Sequence, residues 1–197
     1  MMNLNTLLLR QRMRTEYGFE CEAFHYSAHA STPAEIVERL GGFIAVLGAE
    51  RLHLVGHSLG GLIVMRLLAE SRGLPPGRAV LLGAPVVRSR AAQRLAASTL
   101  GRAMLGPTGV EELARDQERS ASGERDIGCI AGNARFGLGH VIGHIEEEND
   151  GSVAVGETRL AGARDHLVLP VSHTGMLFSQ DVSHQAGFFL EQGRFER

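Results

Sequence analysis

Cysteine is scarce and basic charge is not in excess. The 197 residues hold two cysteines, and 20 Lys and Arg against 22 Asp and Glu leave a net charge of −2. Cys21 and Cys129 lie far apart without metal-ligand spacing, which argues against a disulfide framework or a zinc module. The expectation is two free, buried thiols in a reducing cytoplasm. A near-neutral chain carries no basic footprint, so no nucleic-acid partner is expected. No stretch approaches the roughly 18–20 apolar residues that cross a bilayer, so no stable membrane insertion is expected. The start, "MMNLNTLLLRQRMR", has an apolar run of only Leu7 to Leu9 and no small-residue cleavage site, unlike a secretion signal. Repeats, linkers and low-complexity segments are missing too, so the chain reads as one domain, 1–197. What is present is ordinary for a globular protein, with 44% hydrophobic and 21% charged residues, enough to bury a core without staples. Nine histidines would turn the molecule basic in mild acid.

Hydrophobic periodicity organises the chain. Leu4 to Met13 has helical spacing, and "YGFECEAFHYSA" has a period-two pattern that predicts a strand. Thr32-Pro33 opens a helix, with Ile36, Leu40, Phe43, Ile44 and Leu47 on one face and Gly48 ending it. "RLHLVG" predicts a strand and "LGGLIVMRLLAESRG" a helix apolar on most sides, hence central. "RAVLLGAP" follows as a strand, "SRAAQRLAASTLGRAML" as a helix, and "VEELARDQE" as a short amphipathic piece. The strands "DIGCIAG" and "DHLVLPV" come next, separated by a glycine-rich loop and "GSVAV". The helix "SQDVSHQAGFFLEQG" closes the chain. Apolar strands alternating with helices predict an α/β class, a mostly parallel sheet with helices on both faces.

Between the "RLHLVG" strand and the buried helix stands "GHSLG". A strand that turns at once into a helix forces the intervening residue, Ser58, into a strained conformation with its side chain in the crevice beyond the strand ends. Close packing of the turn explains glycine at Gly56 and Gly60, where a Cβ would clash. The helix that follows aims free N–H groups at whatever the serine attacks, making the Leu59 N–H an oxyanion donor. His57, beside the serine, shapes the pocket. The plainer alternative is a strand-to-helix turn with serine as its N-cap.

With "HLVGHSLGGL", "LLGAP", "NDGSV" and "VSHTGML" in this order, the chain resembles the α/β-hydrolases, in particular bacterial serine hydrolases of the esterase/lipase kind. The resemblance runs from Phe19 to Phe195. It implies an α/β-hydrolase fold, hydrolysis of carboxylic esters, and a Ser-acid-His triad in that chain order.

A serine hydroxyl needs a histidine to take its proton and a carboxylate to orient that histidine. "DHLVLPV" runs directly into His173, at the strand end where a base belongs. His166 starts the same strand at the wrong end, His184 falls in the last helix, His25 and His29 precede the turn, and His53 lies before Ser58 in its strand. After "DIGCIAG", Glu146, Glu147, Glu148 and Asp150 offer carboxylates; Asp126 and Asp165 lie at the wrong strand ends. Asp150-Gly151 is a tight-turn pair that holds a carboxylate at a defined angle, and Asp150 matches the acid of the resembled family. His140 and His144, four apart with Glu147 and Glu148 nearby, form a rival metal constellation. Gly139 and Gly143 weaken a helix there and no H-E-x-x-H is present. The expectation is therefore no metal and no cofactor.

In the resembled family the second oxyanion donor comes from a His-Gly loop after an earlier strand. That strand and loop are expected but not found in the chain, either through a missed upstream start or through natural shortening. Met2 or Asn3 backbone groups could stand in as donors. Exposed strand edges would then favour a homodimer. Residues 86–124 are long enough for a small helical cap, with Met104 and Leu105 near a Gly-Pro turn. The expected partner is a small-molecule acyl ester with a short to medium chain. A hydrolase-like fold kept as a binding or interaction module is the competing function, and a metal hydrolase the third.

Overall fold

Four short apolar runs build the centre of the molecule. The computed structural model describes residues 6–87, 96, 98–115, 120–121, 125–134 and 147–197. Among them the runs form strands β1 (Leu54–His57), β2 (Ala79–Leu82), β3 (Ile127–Gly132) and β4 (Asp165–Leu169). All pair in parallel, in the order β1-β2-β3-β4. Leu54 stands opposite Ala79, Ala79 opposite Ile127, and Gly128 opposite Asp165. The two inner strands, "AVLL" and "IGCIAG", are buried along their whole length, as a parallel sheet covered on both faces requires.

The helices are α1 (Leu7–Tyr17), α2 (Pro33–Leu47), α3 (Leu59–Glu70), α4 (Thr99–Ala114) and α5 (Gln180–Gln192). Strand side chains alternate between faces, so each inner strand feeds two cores. Leu54, Ala79, Leu81, Ile127 and Cys129 meet Ile36, Leu40 and Ile44 of α2 and Leu62, Ile63 and Leu67 of α3. On the other face Val80, Leu82 and Ile130 meet Leu9 and Met13 of α1 and Val182, Ala186, Phe189 and Leu190 of α5. Each fully buried side chain of this kind contributes about 1.5–3 kcal/mol. The start of α2 is a capping box. Thr32 accepts from the Glu35 N–H, Glu35 accepts from the Thr32 N–H, and Pro33 fills the first turn.

Four expectations change. The 19–26 segment is not a strand; it has no ladder partner, and no strand of the described residues pairs with the outer edge of β1. Its period-two pattern reflects packing on both cores: Phe19 and Cys21 join the α1/α5 side, Phe24 and Tyr26 the α2/α3 side. The first helix ends later than Met13, at Tyr17, because Gly18 takes the left-handed conformation (φ 67°) that closes it. Most of "SRAAQRLAASTLGRAML" before Ser98 lies outside the described residues. The part from Thr99 joins the start of "VEELARDQE" in α4, broken at Gly106 (φ 65°) before Pro107. Of the two thiols, Cys129 is buried and its pKa is pushed up to about 12 by desolvation, whereas Cys21 is only half-buried.

Charge ties α4 to the rest. The Arg66 guanidinium of α3 lies 2.9 Å from Glu70, Glu111 and Glu112, and the Glu112 side chain has 0% exposure. Removing Arg66 takes a charge partner from the buried Glu112 carboxylate. Arg66→Met is expected to cost about 3–5 kcal/mol, seen as a lowered denaturant midpoint. Glu22→Gln, breaking an exposed pair with Arg14, should cost less than about 1 kcal/mol.

Candidate active site

The carboxyl end of β1 runs into α3 through one residue, and that residue is strained. Ser58 has φ 53° and ψ −123°, the only positive φ of a non-glycine among the described residues. Such backbone costs on the order of 1–3 kcal/mol and persists where its surroundings enforce it. Here the Ser58 N–H donates to the Leu82 carbonyl (2.9 Å) and the Ser58 carbonyl accepts from the Gly61 N–H (2.9 Å). The strand ladder thus holds one side of the turn and the helix the other. The hydroxyl caps no helix N–H, which sets aside the plain N-cap alternative. The side chain is half-exposed at the head of α3, where first-turn N–H groups have no partner in the helix.

The glycines around the turn do not play equal parts. A Cβ on Gly56 would lie 2.7 Å from the Gly60 carbonyl oxygen and the Gly61 backbone, so glycine is required there. Gly61 faces the Ala84 methyl at 2.5 Å and is equally closed. At Gly60, contrary to the sequence expectation, a Cβ would clash with nothing; its one neighbour within 4 Å is the Tyr26 hydroxyl at 3.8 Å. The tight approach is between Gly56 and the backbone of 60–61, not between two Cβ positions.

Asp150 and His173 come together at the same end of the sheet. Asp150 follows β3 and is 1% exposed; His173 follows β4 and is 15% exposed. His173 Nδ1 lies 2.7 Å from Asp150 Oδ2, and Asp150 Oδ1 accepts from the N–H groups of Ser152 (2.9 Å) and Val153 (2.7 Å). A carboxylate only accepts, so the imidazole carries its proton on Nδ1 and keeps the Nε2 lone pair free. Three N–H donors compensate a carboxylate that has left water. The two backbones are also joined, His173 N–H to Asp150 carbonyl at 2.8 Å. Gly83, just after β2, has φ 54°, and a Cβ there would lie 3.1 Å from Asp150 Oδ2 and 3.2 Å from His173 Nδ1. The "LLGAP" turn therefore passes directly beneath the pair.

His57 links this pair to the strained turn. Its Nε2–H donates to the His173 carbonyl (2.9 Å), and the two rings lie 4.6 Å apart at 45°. Burial, reinforced by the neighbouring His173, lowers its pKa to about 4, against the opposing hydrogen bond and the Asp150 charge. The ring is therefore neutral around pH 7. The Ser58 hydroxyl makes no hydrogen bond to the His173 ring in this structure. Such contacts often close only around substrate.

The remaining candidates are occupied elsewhere. His53 accepts from the Arg78 N–H, His29 bonds the Ala103 carbonyl, His166 meets the Thr158 hydroxyl, and His184 sits between Tyr17 and Glu196. His25 is exposed. Asp126 pairs with Arg78, Asp165 accepts from the Phe195 N–H, and Glu148 accepts from Asn133. Glu146, His140 and His144 lie outside the described residues, as do Met2 and Asn3. Among the described residues no group of three His, Cys, Asp or Glu is placed to hold a metal ion. Sequence reasoning missed Tyr26, whose hydroxyl reaches the turn from a segment read as a strand. Its inward position in the alternation was the available signal.

A family model described as "Alpha/beta hydrolase family" matches residues 15–175. Among solved structures, the chain is similar to a lipase of Bacillus licheniformis in its mature form, at 22% identity and TM-score 0.58, covering 74% of this chain and 67% of that one. A putative hydrolase of Agrobacterium vitis aligns at 17% identity and TM-score 0.59, over 96% and 82% of the two chains. A meta-cleavage product hydrolase of Pseudomonas fluorescens aligns at 14% identity and TM-score 0.51, over 89% and 75%. At these identities the likeness is one of fold. Among curated proteins no match to the sequence is found. No helix among the described residues is long and apolar enough to cross a membrane.

The site makes stability depend on pH. His57 has a folded pKa of about 4 against about 6.5 unfolded, so the unfolded chain binds more protons between those values. Stability is then lost as pH falls from about 6.5 to about 4 and levels off below; His53, also lowered to about 4 by burial, acts in the same direction. Thermal unfolding between pH 7 and 4 should show this slope, and His57→Gln, which keeps an N–H donor, should make it shallower, His53 still contributing.

Proposed function

The chain belongs to the alpha/beta hydrolase family, and on that premise we propose that it is a serine esterase of the lipase-like kind, acting on small acyl esters through Ser58, His173 and Asp150. The observation that carries this reading is convergence: a strained, half-exposed serine and an imidazole hydrogen-bonded to a buried carboxylate, bridged by His57, at one end of one parallel sheet.

In this reading His173 Nε2 takes the Ser58 proton as Oγ bonds to the acyl carbon, and the carbonyl electron pair moves onto oxygen. The Leu59 N–H, at the head of α3, donates to that oxyanion, supported by the helix dipole. The tetrahedral species collapses, and the leaving alkoxide takes the proton from His173. Water, activated by the same imidazole, then splits the acyl-enzyme and releases the acid. Asp150 keeps the ring in the Nδ1–H form and stabilises the imidazolium that forms in each half-reaction. No cofactor enters the scheme. In this reading α4 (Thr99–Ala114) belongs to a small cap over the acyl side. It is held to the loop after Tyr26 by Thr108, whose N–H and hydroxyl bond the Ala28 and Ser31 carbonyls, and by His29 on the Ala103 carbonyl.

Turnover of p-nitrophenyl acetate and butyrate, with a serine-directed phosphonate, tests the reading. The protein should hydrolyse both and take up one label, lost in Ser58→Ala. His173→Ala and Asp150→Asn should each lower kcat by a factor on the order of 10⁴. A folded protein that neither labels nor turns over would point instead to a binding module.

A further inference from the structure

The open side of Gly60 and the hydroxyl that faces it are unexplained by packing. Gly60 is inside the turn, yet a methyl there would meet only the Tyr26 oxygen, at ordinary contact distance. Its φ is not in the left-handed region, so neither space nor backbone requires glycine. Across the gap, the Tyr26 phenol makes no hydrogen bond among the described residues, and burial alone pushes its pKa up to about 12.

The ring itself is well held. Tyr26 stacks on Phe24 (6.2 Å, 28°), Phe24 packs on Phe43 of α2 (5.6 Å), and both join the core beneath α3. The chain immediately after Tyr26 is pinned to α4 through Ala28, His29 and Ser31. The phenol is therefore a fixed donor, protonated at any working pH, one residue along from the Leu59 N–H.

From this gap and its unbonded donor we infer that Tyr26 supplies the second hydrogen bond to the oxyanion, through the opening that the missing side chain of Gly60 leaves. The inference rests on the esterase reading above. As Ser58 Oγ bonds the acyl carbon and its proton passes to His173, the carbonyl pair becomes an oxyanion between the Leu59 N–H and the Tyr26 O–H. The phenol gives a hydrogen bond and keeps its proton throughout, so nothing else in the atom balance changes. A side-chain hydroxyl thus takes the part that a second backbone N–H would otherwise play.

The test compares wild type, Tyr26→Phe and Gly60→Ala on p-nitrophenyl butyrate, with an alkyl trifluoromethyl ketone as mimic of the tetrahedral adduct. Tyr26→Phe should lower kcat on the order of 10²-fold, move KM by less than about 2-fold, and weaken the ketone in step with kcat. The thermal midpoint should stay unchanged, because the hydroxyl makes no bond in the resting protein. Gly60→Ala, which fills the gap without strain, should lower kcat and ketone affinity likewise. Wild-type kcat in either variant, a loss confined to KM, or a loss that follows a fallen midpoint would overturn the inference. A wild-type protein that neither turns over nor labels at Ser58 would instead overturn the esterase reading itself.

Discussion

The whole site hangs from one left-handed residue. Ser58 cannot relax, because its N–H is a rung of the β1–β2 ladder and its carbonyl is already inside α3. Gly56 lets the turn close by offering no Cβ to the backbone of residues 60 and 61. Strain of about 1–3 kcal/mol is small beside the cores that clamp it, since each buried leucine or phenylalanine on either face contributes a comparable amount. The sheet and its two helix layers are, in this sense, the means of holding a hydroxyl where backbone preference would not put it.

Parallel topology does the rest. Because all four strands run the same way, the segments leaving β1, β2, β3 and β4 emerge together: Ser58, Gly83, Asp150 and His173 in turn. The opposite end collects groups with no reacting partner, where His53, Asp126 and His166 are engaged with Arg78 and Thr158. The imidazole–carboxylate pair thus stands at the opposite end of the sheet from these ion pairs, with the Asp150 carboxylate buried and His173 partly exposed. His57 adds a cross-link inside the site. Its neutral ring spans from the β1 end to the His173 backbone and so ties the two strand ends together.

Much of this was legible beforehand. Helix ends marked by Thr32-Pro33, Gly48 and Gly193 lie where capping chemistry put them, because those signals are local. Strand direction could be read from alternation with helices, so His166 could be told from His173, and Asp126 from Asp150. The 19–26 segment misled because period-two burial arises equally from a paired strand and from an extended chain wedged between two cores. Gly60 misled because its neighbours across the turn are contributed by residues distant in sequence.

By itself the sequence determined the alternating elements, their order, the strained serine turn, and which histidine and carboxylate stand at the same strand ends as that serine. Those follow from periodicities and turn chemistry that act over a few residues. Only the tertiary structure decided that Asp150 is buried under three N–H donors, that His57 bonds the backbone of His173, and that a phenol from the 19–26 segment meets the open face of Gly60. These are contacts between segments up to 116 residues apart. No local preference specifies them, because they arise from how two cores fix the distances between strand ends.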